Sequence, residues 1–366
     1  MKHSSILCVP AGSSRTGRQY PIVLPLLGIL FFFSASGLSA QESAFDFGLS
    51  YQTEGQWGYT PHPQGETARS QAAWANLLEL DFGLRLWPGA RLSVATLSSY
   101  DTHDGVVADR QTCSNLLTDN RWLRLFEAGL YQEWERLWLF AGLGHINHHY
   151  FAGGYEGLFT GSSHGIFPTV GDNFGMGNFP VATLGLHWGV LITDRIEWRG
   201  VLTQGSGSDR LREQFSLTDK GFDIVSEVCY TAVPGDDLSG HWHLGGVYGR
   251  EPDFTGTAVF AYGEHPVWQQ GHRQAGCFLQ GSLASAGAAC RAYYGGGLYS
   301  QGLLARGHEL GLAVARAVYD DGDEWDTELC YAFPLADILT VKPALHLINT
   351  DGRWAQVALL RAVVEW

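Results

Sequence analysis

Long apolar runs are missing from most of this chain. After Gln41, no apolar stretch approaches the ~20 residues that a transmembrane helix needs, so that part is not a helical membrane protein. Lysine occurs only at positions 2, 220 and 342, and the formal net charge is −14. This charge argues against nucleic acid or an anionic lipid surface as a partner.

Cysteine motifs are also missing. The chain has no CxxC motif and no Cys/His spacing typical of a zinc site. Cysteines follow residue 41 at positions 113, 229, 277, 290 and 330, and an odd number leaves at least one unpaired within an exported chain. Cys277 and Cys290 are candidates for a bridge between neighbouring strands. The other cysteines, at positions 113, 229 and 330, are interpreted as small side chains within strands.

The first forty residues are typical of a targeting segment. Basic residues precede an apolar run from Ile22 to Phe33, and small residues follow at 36–40. We interpret residues 1–40 as a cleaved signal peptide and residues 41–366 as a single domain. An uncleaved anchor helix is the alternative, which the proline and the glycine inside the run disfavour.

Beyond residue 41, apolar and polar residues alternate. Phe45, Phe47 and Leu49 share one face of a segment, and the run 78–86 shows the same alternation. A period of two indicates β-strands rather than helices. We predict sixteen strands, three of them before residue 101 and the others near 122–134, 137–147, 180–192, 195–204, 221–231, 241–250, 255–265, 273–284, 290–303, 308–320, 325–334, 339–349 and 353–366.

The spacing of these strands indicates a transmembrane antiparallel β-barrel. A spacing of about 20 residues for each strand with its connection suits a closed barrel in an outer membrane. Closure is needed because lipid cannot hydrogen-bond an open sheet edge. Connections after even-numbered strands are short, which suits periplasmic turns, and four of the others are long, near 55–75, 102–121, 148–179 and 205–220.

The connection 148–179 carries too much aromatic surface to leave in water. We therefore expect it to fold inward against the barrel wall and to form a constriction loop. Glu156 and Asp172 are its candidate polar contacts. Its rings either form a partly apolar path for a solute or only pin the loop to the wall, and both interpretations stay open for Tyr150, Phe151, Tyr155, Phe159 and Phe167.

The last strand ends at an aromatic residue. Trp354, Leu360 and Trp366 share one face of it, which suits anchoring at the membrane interface. A terminal aromatic residue on an amphipathic strand also resembles the signal that barrel-assembly machinery recognises. We therefore expect this machinery to be a partner during biogenesis.

A series of short blocks spans the mature chain and includes Phe47–Tyr51, Trp87–Leu92, Arg124–Glu127, Leu139–Leu143, Ser162–Ile166, Phe179–Val181, Leu184–Leu186, Glu227–Tyr230, Leu244–Tyr248, Tyr294–Leu304, Glu328–Tyr331 and Val341–Asn349. In this order, the blocks resemble those of the carbohydrate-selective outer-membrane porins of Gram-negative bacteria, the OprB-like family. The resemblance implies a sixteen-stranded barrel with a narrow central pore, through which sugars diffuse into the periplasm, and it implies no cofactor.

The chain departs from the family where members usually carry polar residues. Phe140 stands in place of an arginine, acidic residues are usual near His145 and His149, and Asp and Gln are usual near Ala344 and His346. A general or ion-biased porin on the same scaffold is therefore the alternative function.

Inward positions follow from alternation, because a charge facing lipid at the membrane midplane costs about 2–4 kcal/mol. Acidic and arginine side chains facing one another would offer hydrogen bonds to hydroxyl groups, while aromatic rings stack on a pyranose. Together with the constriction loop, this reasoning predicts fifteen pore-lining residues: Glu79, Asp81, Arg85, Arg91, Glu127, Tyr131, His145, Asn147, His149, Tyr155, Phe159, His187, Glu197, Arg199 and Glu227.

Two other kinds of site were weighed against pore lining. His145, His148 and His149, with His164 further along, could bind zinc or copper, but no acidic or Cys residue lies in the same short run. Some outer-membrane barrels are lipases or deacylases, for which the candidate residues are Ser162, Ser163, His164 and Asp172. We expect neither a metal, nor a cofactor, nor an enzyme.

The sequence therefore predicts an outer-membrane porin for the passive diffusion of small carbohydrates. Its expected partners are sugars as transported solutes, outer-membrane lipid and the barrel-assembly machinery, and not nucleic acid. The oligomeric state, monomer or trimer, stays open.

Overall fold

The structure, a computed structural model, describes residues 44–61, 68–102, 105–151, 153–208, 210–217, 219–232, 239–252 and 254–366. The predicted signal peptide lies outside these residues and stays a prediction. No helix in the described ranges is long and apolar enough to cross a membrane. The strands are β1 Phe45–Thr60, β2 Arg69–Trp87, β3 Ala90–Asp101, β4 Arg121–Glu133, β5 Leu137–Gly144, β6 Thr183–Thr193, β7 Ile196–Gln204, β8 Phe222–Thr231, β9 His241–Arg250, β10 Thr255–Gln270, β11 Arg273–Ala284, β12 Cys290–Gln301, β13 Glu309–Tyr319, β14 Gly322–Ala336, β15 Leu339–Thr350 and β16 Arg353–Glu365.

In the described part of the chain, these sixteen strands form one closed antiparallel barrel. Each strand pairs with its neighbours in sequence, and β1 closes on β16 with Gly55 opposite Leu360. The predicted fold class and strand number are confirmed. The connections contain short helices, α1 Pro168–Gly171 and α2 Leu211–Gln214, and 3-10 turns at Ile146–His148, Glu156–Leu158 and Ser162–His164.

The first hairpin is longer than the sequence pattern indicated. We expected a long connection near 55–75, but β1 continues to Thr60 and β2 begins at Arg69. The difference arises because the inward residues here, Glu54 and Gln56, are polar and flank Gly55. When the inward residues of a strand are polar, the sequence of its end has a composition typical of a loop.

Aromatic side chains cover the outer surface near both ends of the barrel. Trp57, Trp74 and Tyr100 are exposed near the end that carries the long connections, and Trp87 and Trp134 are exposed near the other end. Two such belts are typical of barrels whose apolar band faces lipid.

The last strand has the predicted aromatic outer face. Trp354, Leu360 and Trp366 are exposed on one face of the last strand, and the opposite face, from Ala355 to Val363, is buried. The backbone N–H of Trp366 donates to the carbonyl of Leu49, and the N–H of Leu49 donates to Trp366, each at 2.9 Å. The indole ring lies 5.6 Å from the ring of Phe47. The terminal residue therefore belongs to the seam that closes the barrel.

The connection between β5 and β6, residues 145–182, folds into the barrel and is named the long loop. Tyr150 and Phe167 on this loop are fully buried. Phe167 stacks on Tyr293 of β12 with ring centroids 5.2 Å apart, and Phe151 packs on Phe260 of β10 at 4.8 Å. The expected inward fold of this connection is thus observed.

A second connection also folds inward, and sequence reasoning missed it. Residues 105–120, named the short loop, run from β3 toward β14 and β15. Arg110 Nη1 lies 2.5 Å from Oδ1 of Asp321 in the β13–β14 turn, and Nη2 lies 2.8 Å from Oδ2 of Asp351 in the β15–β16 turn. The short loop meets the long loop, where the N–H of Asn115 donates to the carbonyl of Thr160 at 2.8 Å.

Glycines on the inner wall make room for the rings of the long loop. A Cβ atom added at Gly276 would lie 2.4 Å from the Tyr155 ring, and one at Gly311 would lie 2.6 Å from the Phe159 ring. Both contacts are too short for any side chain. The small inward residues of β11 and β13 are therefore the complement of the aromatic loop.

The candidate disulfide between Cys277 and Cys290 is not formed. Cys277 of β11 pairs with Leu298 of β12. Cys290 is at the start of β12 and pairs with Tyr319 of β13. All five cysteines at described positions are free. The two side chains also point to different faces of the barrel, Cys277 partly outward and Cys290 into the buried interior.

We predict that Gly311→Val weakens the attachment of the long loop, because the new side chain meets Phe159. Overpacking of this kind costs about 1–3 kcal/mol. Denaturant unfolding in detergent measures the loss. Gly281→Val on β11 is the matched control, since a Cβ there meets nothing closer than 3.9 Å. Equal stability of the two variants would contradict the packing argument.

We also predict that the packing of the long loop against the wall is less stable at alkaline pH. Burial, with Glu264 nearby, raises the pKa of Glu156 to about 8. A raised carboxyl pKa contributes stability below its unfolded value, and this contribution is lost as pH rises through about 8. Amide hydrogen exchange of residues 153–171 should therefore increase between about pH 6 and about pH 9, after correction for intrinsic exchange. Glu156→Gln should remove the change, and an unaltered pH profile in that variant would refute the assignment.

Candidate functional site

The structure places the predicted charged residues of the strands on the inward faces. Alternation with the exposed outer residues fixes these faces on β2, β3, β4 and β7. On β3, Arg91 Nε lies 3.8 Å from Asp46 Oδ2 of β1. Glu127 of β4 is buried. The residues on this side of the lumen are Glu79, Asp81, Arg85, Arg91 and Glu127.

A hydrogen-bonded network, named the polar wall, covers the inner face of β7 to β10. Arg199 Nε donates to Glu227 Oε1, and Arg199 Nη2 lies 3.2 Å from His243 Nδ1. Tyr262 Oη donates to Glu227 Oε2 at 3.2 Å and accepts the N–H of Phe151 at 3.1 Å. Glu227 is buried, whereas 17% of the Arg199 side chain stays exposed. The network therefore joins the long loop to the wall and presents the edge of a guanidinium group.

Three half-exposed rings, named the ring cluster, lie beside the polar wall. They belong to Tyr131 of β4, Trp138 of β5 and His149 of the long loop. The Tyr131 and Trp138 centroids are 6.0 Å apart with the rings nearly parallel, and Trp138 and His149 are 4.7 Å apart. Trp138 Nε1 donates to Glu197 Oε1 at 2.9 Å, which fixes the indole. The cluster thus presents aromatic surface next to a carboxylate.

Trp138 was missed by sequence reasoning. It lies in an apolar run, Leu137–Leu143, where an aromatic residue is predicted to face lipid. The signal that could have found it is pairing, because Tyr131 lies opposite Phe140 and Glu133 opposite Trp138 in the β4–β5 register. An inward residue on β4 requires an inward residue opposite it.

His187 lies behind the ring cluster. It is buried, with its ring 5.4 Å from Phe140, 5.8 Å from His149 and 6.0 Å from Tyr150. Phe140, which replaces the arginine usual in the resembling family, therefore fills space beside histidine rings. Six of the predicted residues come together here: Tyr131, His149, His187, Glu197, Arg199 and Glu227.

His145 and Asn147 support the start of the long loop. The His145 ring stacks on Phe126 with centroids 4.0 Å apart. Asn147 Oδ1 accepts the N–H of Phe179 at 3.0 Å, which joins the two ends of the loop. Neither residue lies in the ring cluster. Their pore-lining role stays a prediction.

Tyr155 and Phe159 face the wall rather than open lumen. Tyr155 stacks on Tyr299 with centroids 4.4 Å apart and is 8% exposed, and Phe159 packs on Phe278 at 5.5 Å and is 3% exposed. Tyr150, Phe151 and Phe167 are buried in the same way. These rings anchor the loop to the wall, and their faces are not available to stack on a solute.

The predicted polar contacts of the long loop are also buried. Glu156 is 5% exposed and lies 3.5 Å from Gln280 Nε2. Asp172 Oδ2 accepts the hydroxyl of Tyr319 at 2.9 Å, and burial raises the pKa of Asp172 to about 6. Both side chains thus hold the loop in place.

One group of potential metal ligands exists within the described residues. Ligand atoms of Glu227, Cys229 and His243 lie within 4.8 Å of one another. Arg199 donates to Glu227 and contacts His243, so its guanidinium already supplies the positive charge there. His145, His149 and His164 are not part of this group, and the His148 side chain is outside what the structure describes.

The candidate hydrolase residues are not arranged as a triad. Gly161–Gly165 has the spacing Gly-x-Ser-x-Gly, but it forms a 3-10 turn rather than the strand-to-helix turn that exposes a nucleophile. Ser163 and His164 are buried, and the charged group near His164 is Glu328 at 3.9 Å. Asp172 bonds to Tyr319 instead.

Comparison with known proteins identifies the fold. No family model and no curated protein matches the chain. Among solved structures, OprB of Pseudomonas putida at high pH aligns with a TM-score of 0.76 and 18% identity, over 88% of this chain and 94% of that one. An anion-selective porin from Comamonas acidovorans aligns with a TM-score of 0.56 and 11% identity, over 88% of this chain and 100% of that one. OpdQ of Pseudomonas aeruginosa aligns with a TM-score of 0.53 and 11% identity, over 88% and 97%.

These comparisons confirm the resemblance that the sequence blocks predicted, at the level of the fold. The closed barrel, its aromatic belts and its structural neighbours all point to the outer membrane of a Gram-negative bacterium. The chain has the sixteen-stranded fold of the outer-membrane porins.

Proposed function

We propose that this chain is an outer-membrane channel for the passive diffusion of small carbohydrates, mono- or disaccharides, into the periplasm. The observation that carries the proposal is the ring cluster, which is half-exposed and stands beside Glu197 and Arg199. A pyranose has an apolar face and a rim of hydroxyl groups. Aromatic rings next to fixed charged groups match both features. OprB, to which the fold is similar, supports the same solute class by analogy.

The polar wall suits an uncharged solute. Arg199 is balanced by Glu227, so the guanidinium offers donors to hydroxyl groups without a strong field of one sign. Trp138 is fixed by Glu197, so little side-chain freedom is lost when a sugar stacks on it. A few such contacts are weak enough to allow release, as diffusion through a channel requires.

A general, cation-biased porin is the second candidate. The observation that favours it is the acidic side of the lumen, where Glu79, Asp81 and Glu127 face inward on β2 and β4. Rings of acidic side chains favour cations in channels. The transport measurement below separates the two candidates.

Lipid and the assembly machinery are the proposed partners of the barrel itself. The exposed aromatic belts fit the membrane interfaces, and Trp366 ends the chain on the outward face. Transport needs no covalent step, so the proposal includes no catalysis, cofactor or metal.

Liposome swelling with the purified, refolded protein is the direct test. We expect sugars to enter faster than amino acids and salts of similar size. Entry ranked by size alone, or faster entry of cations, would favour the second candidate. Absence of entry for every solute would overturn the channel proposal.

Removal of the central ring should weaken sugar binding. Because an aromatic contact is worth about 0.5–1.5 kcal/mol, we expect Trp138→Ala to weaken the block of ion current by glucose about 2- to 10-fold. Trp198→Ala is the matched control, since Trp198 lies on the outer face of the adjacent wall and is 40% exposed. Equal sugar block in both variants would remove the ring cluster from the sugar path.

A further inference from the structure

Three carboxyl groups follow one another on the inner face of β14. Glu324, Asp326 and Glu328 alternate with outward residues, and each is at most 3% exposed. Glu324 and Glu328 are four residues apart, so they are separated by about 13 Å along the strand. Buried carboxylates are costly unless hydrogen bonds satisfy them. The partners of these groups are therefore informative.

The side chain of Glu328 binds the backbone of the long loop. The N–H of Thr160 donates to Glu328 Oε1 at 2.7 Å, and the N–H of Gly161 donates to Oε2 at 3.1 Å. The Thr160 hydroxyl adds a third bond at 2.9 Å. Two consecutive amides thus bind the two oxygens of one carboxylate.

Glu324 holds the short loop in the same way. The N–H of Arg110 donates to Glu324 Oε2 and the N–H of Gln111 donates to Oε1, both at 2.7 Å. Thr350 Oγ1 donates to Oε2 at 2.6 Å. The arrangement of two consecutive amides on two oxygens therefore occurs twice on one strand, once for each loop.

Residues that lie between the two carboxylates connect the two loops to each other. Asp326 Oδ2 lies 3.0 Å from His346 Nδ1, and His346 Nε2 lies 2.9 Å from the Thr160 hydroxyl. The N–H of Ser162 donates to the carbonyl of Thr112 at 3.0 Å, which is a direct bond between the loops. The two loops and β14 therefore form one hydrogen-bonded unit.

Other charged groups near these carboxylates do not replace the amides. Burial lowers the pKa of His164 to about 4, so this imidazole is neutral near Glu328 at neutral pH. His346 Nε2 lies 3.8 Å from Glu328 Oε1, beyond hydrogen-bonding distance. Burial raises the pKa of Asp109, the acidic group of the short loop near Glu324. The loop amides are thus the main donors to Glu328, and with Thr350 to Glu324.

Aromatic packing alone cannot fix where the loops sit. Dispersion and apolar burial are non-directional, so rings on small wall residues tolerate sliding. Hydrogen bonds to a charged acceptor are directional and stronger than neutral ones. Tyr262 and Glu264 bind the amides of Phe151 and Tyr155 earlier in the long loop. Where the two loops meet, the directional bonds to charged acceptors come from the β14 carboxylates.

We propose that Glu324 and Glu328 are positioning residues that set the size cut-off of the channel, by holding the two inward loops as one partition. Neither residue contacts solute. The size cut-off rests on the proposed channel function, whereas the holding of the loops does not.

The first measurement is amide hydrogen exchange, which needs no transport. Each loop is held by two bonds to a carboxylate, so loss of the carboxylate should speed exchange of its own loop about 10- to 100-fold. Glu328→Ala should affect residues 156–164, and Glu324→Ala should affect residues 105–112. Asp46→Ala is the control, because this inward acid of β1 pairs with Arg91 on the wall.

A variant of equal size guards against loss of folding. Glu328→Gln keeps the volume but has one acceptor oxygen, and its NH2 group faces the N–H of Thr160 or Gly161. We expect it to fold and to show faster exchange at 156–164. Unchanged exchange in Glu328→Gln and in both alanine variants would overturn the proposal.

The second measurement is liposome swelling with solutes of increasing size. We expect Glu328→Ala and Glu328→Gln to raise the rate for a trisaccharide relative to glucose several-fold, and Asp46→Ala to leave this ratio unchanged. Faster exchange with an unchanged ratio would refute the role in the size cut-off. If the wild-type protein admits no solute, the channel proposal fails, while the exchange result still decides whether these residues hold the loops.

Discussion

The fold depends on one constraint: a strand in lipid must satisfy every backbone group within the protein. The pairing of β1 with β16 meets it, since it leaves no free edge in the sheet. The mutual bonds between Leu49 and Trp366 extend this seam to the last residue. Alternation then has a fixed meaning around the whole barrel: the outer face is apolar, and the inner face carries the polar residues together with the rings and small residues that pack against the loops.

Closure of sixteen strands creates a second problem, because the wall's own side chains cannot fill so wide an interior. Two connections fold inward and occupy part of it. The wall is shaped for them, with Gly276 and Gly311 under the rings of Tyr155 and Phe159. Non-directional packing thus supplies most of the contact. Hydrogen bonds from the loop amides to the wall supply the direction, and those at the meeting point of the two loops go to the carboxylates of β14.

The candidate sugar path lies where these features meet. The N–H of Phe151 on the long loop donates to Tyr262, which donates to Glu227, the partner of Arg199. The charged group offered to a solute is therefore held by the same network that anchors the loop. A channel built in this way couples the chemistry of its wall to the position of its constriction.

The sequence by itself determined the barrel and the number of strands, because a period of two and a lipid-facing belt are visible in the pattern of apolar residues. It also determined the inward faces of β2, β3, β4 and β7. It also indicated Tyr131, Glu197, Arg199 and Glu227, which come together in the structure. Neither Trp138 nor the short loop was predicted, and the rings of the long loop had two open interpretations. Alternation says which face a side chain occupies but not which loop covers it. Only the tertiary structure decided that Tyr155 and Phe159 are covered, because that depends on glycines more than a hundred residues away in sequence. The amides that bind Glu324 and Glu328 likewise leave no pattern in the side chains, so the contacts that place both loops appear only when the chain has folded.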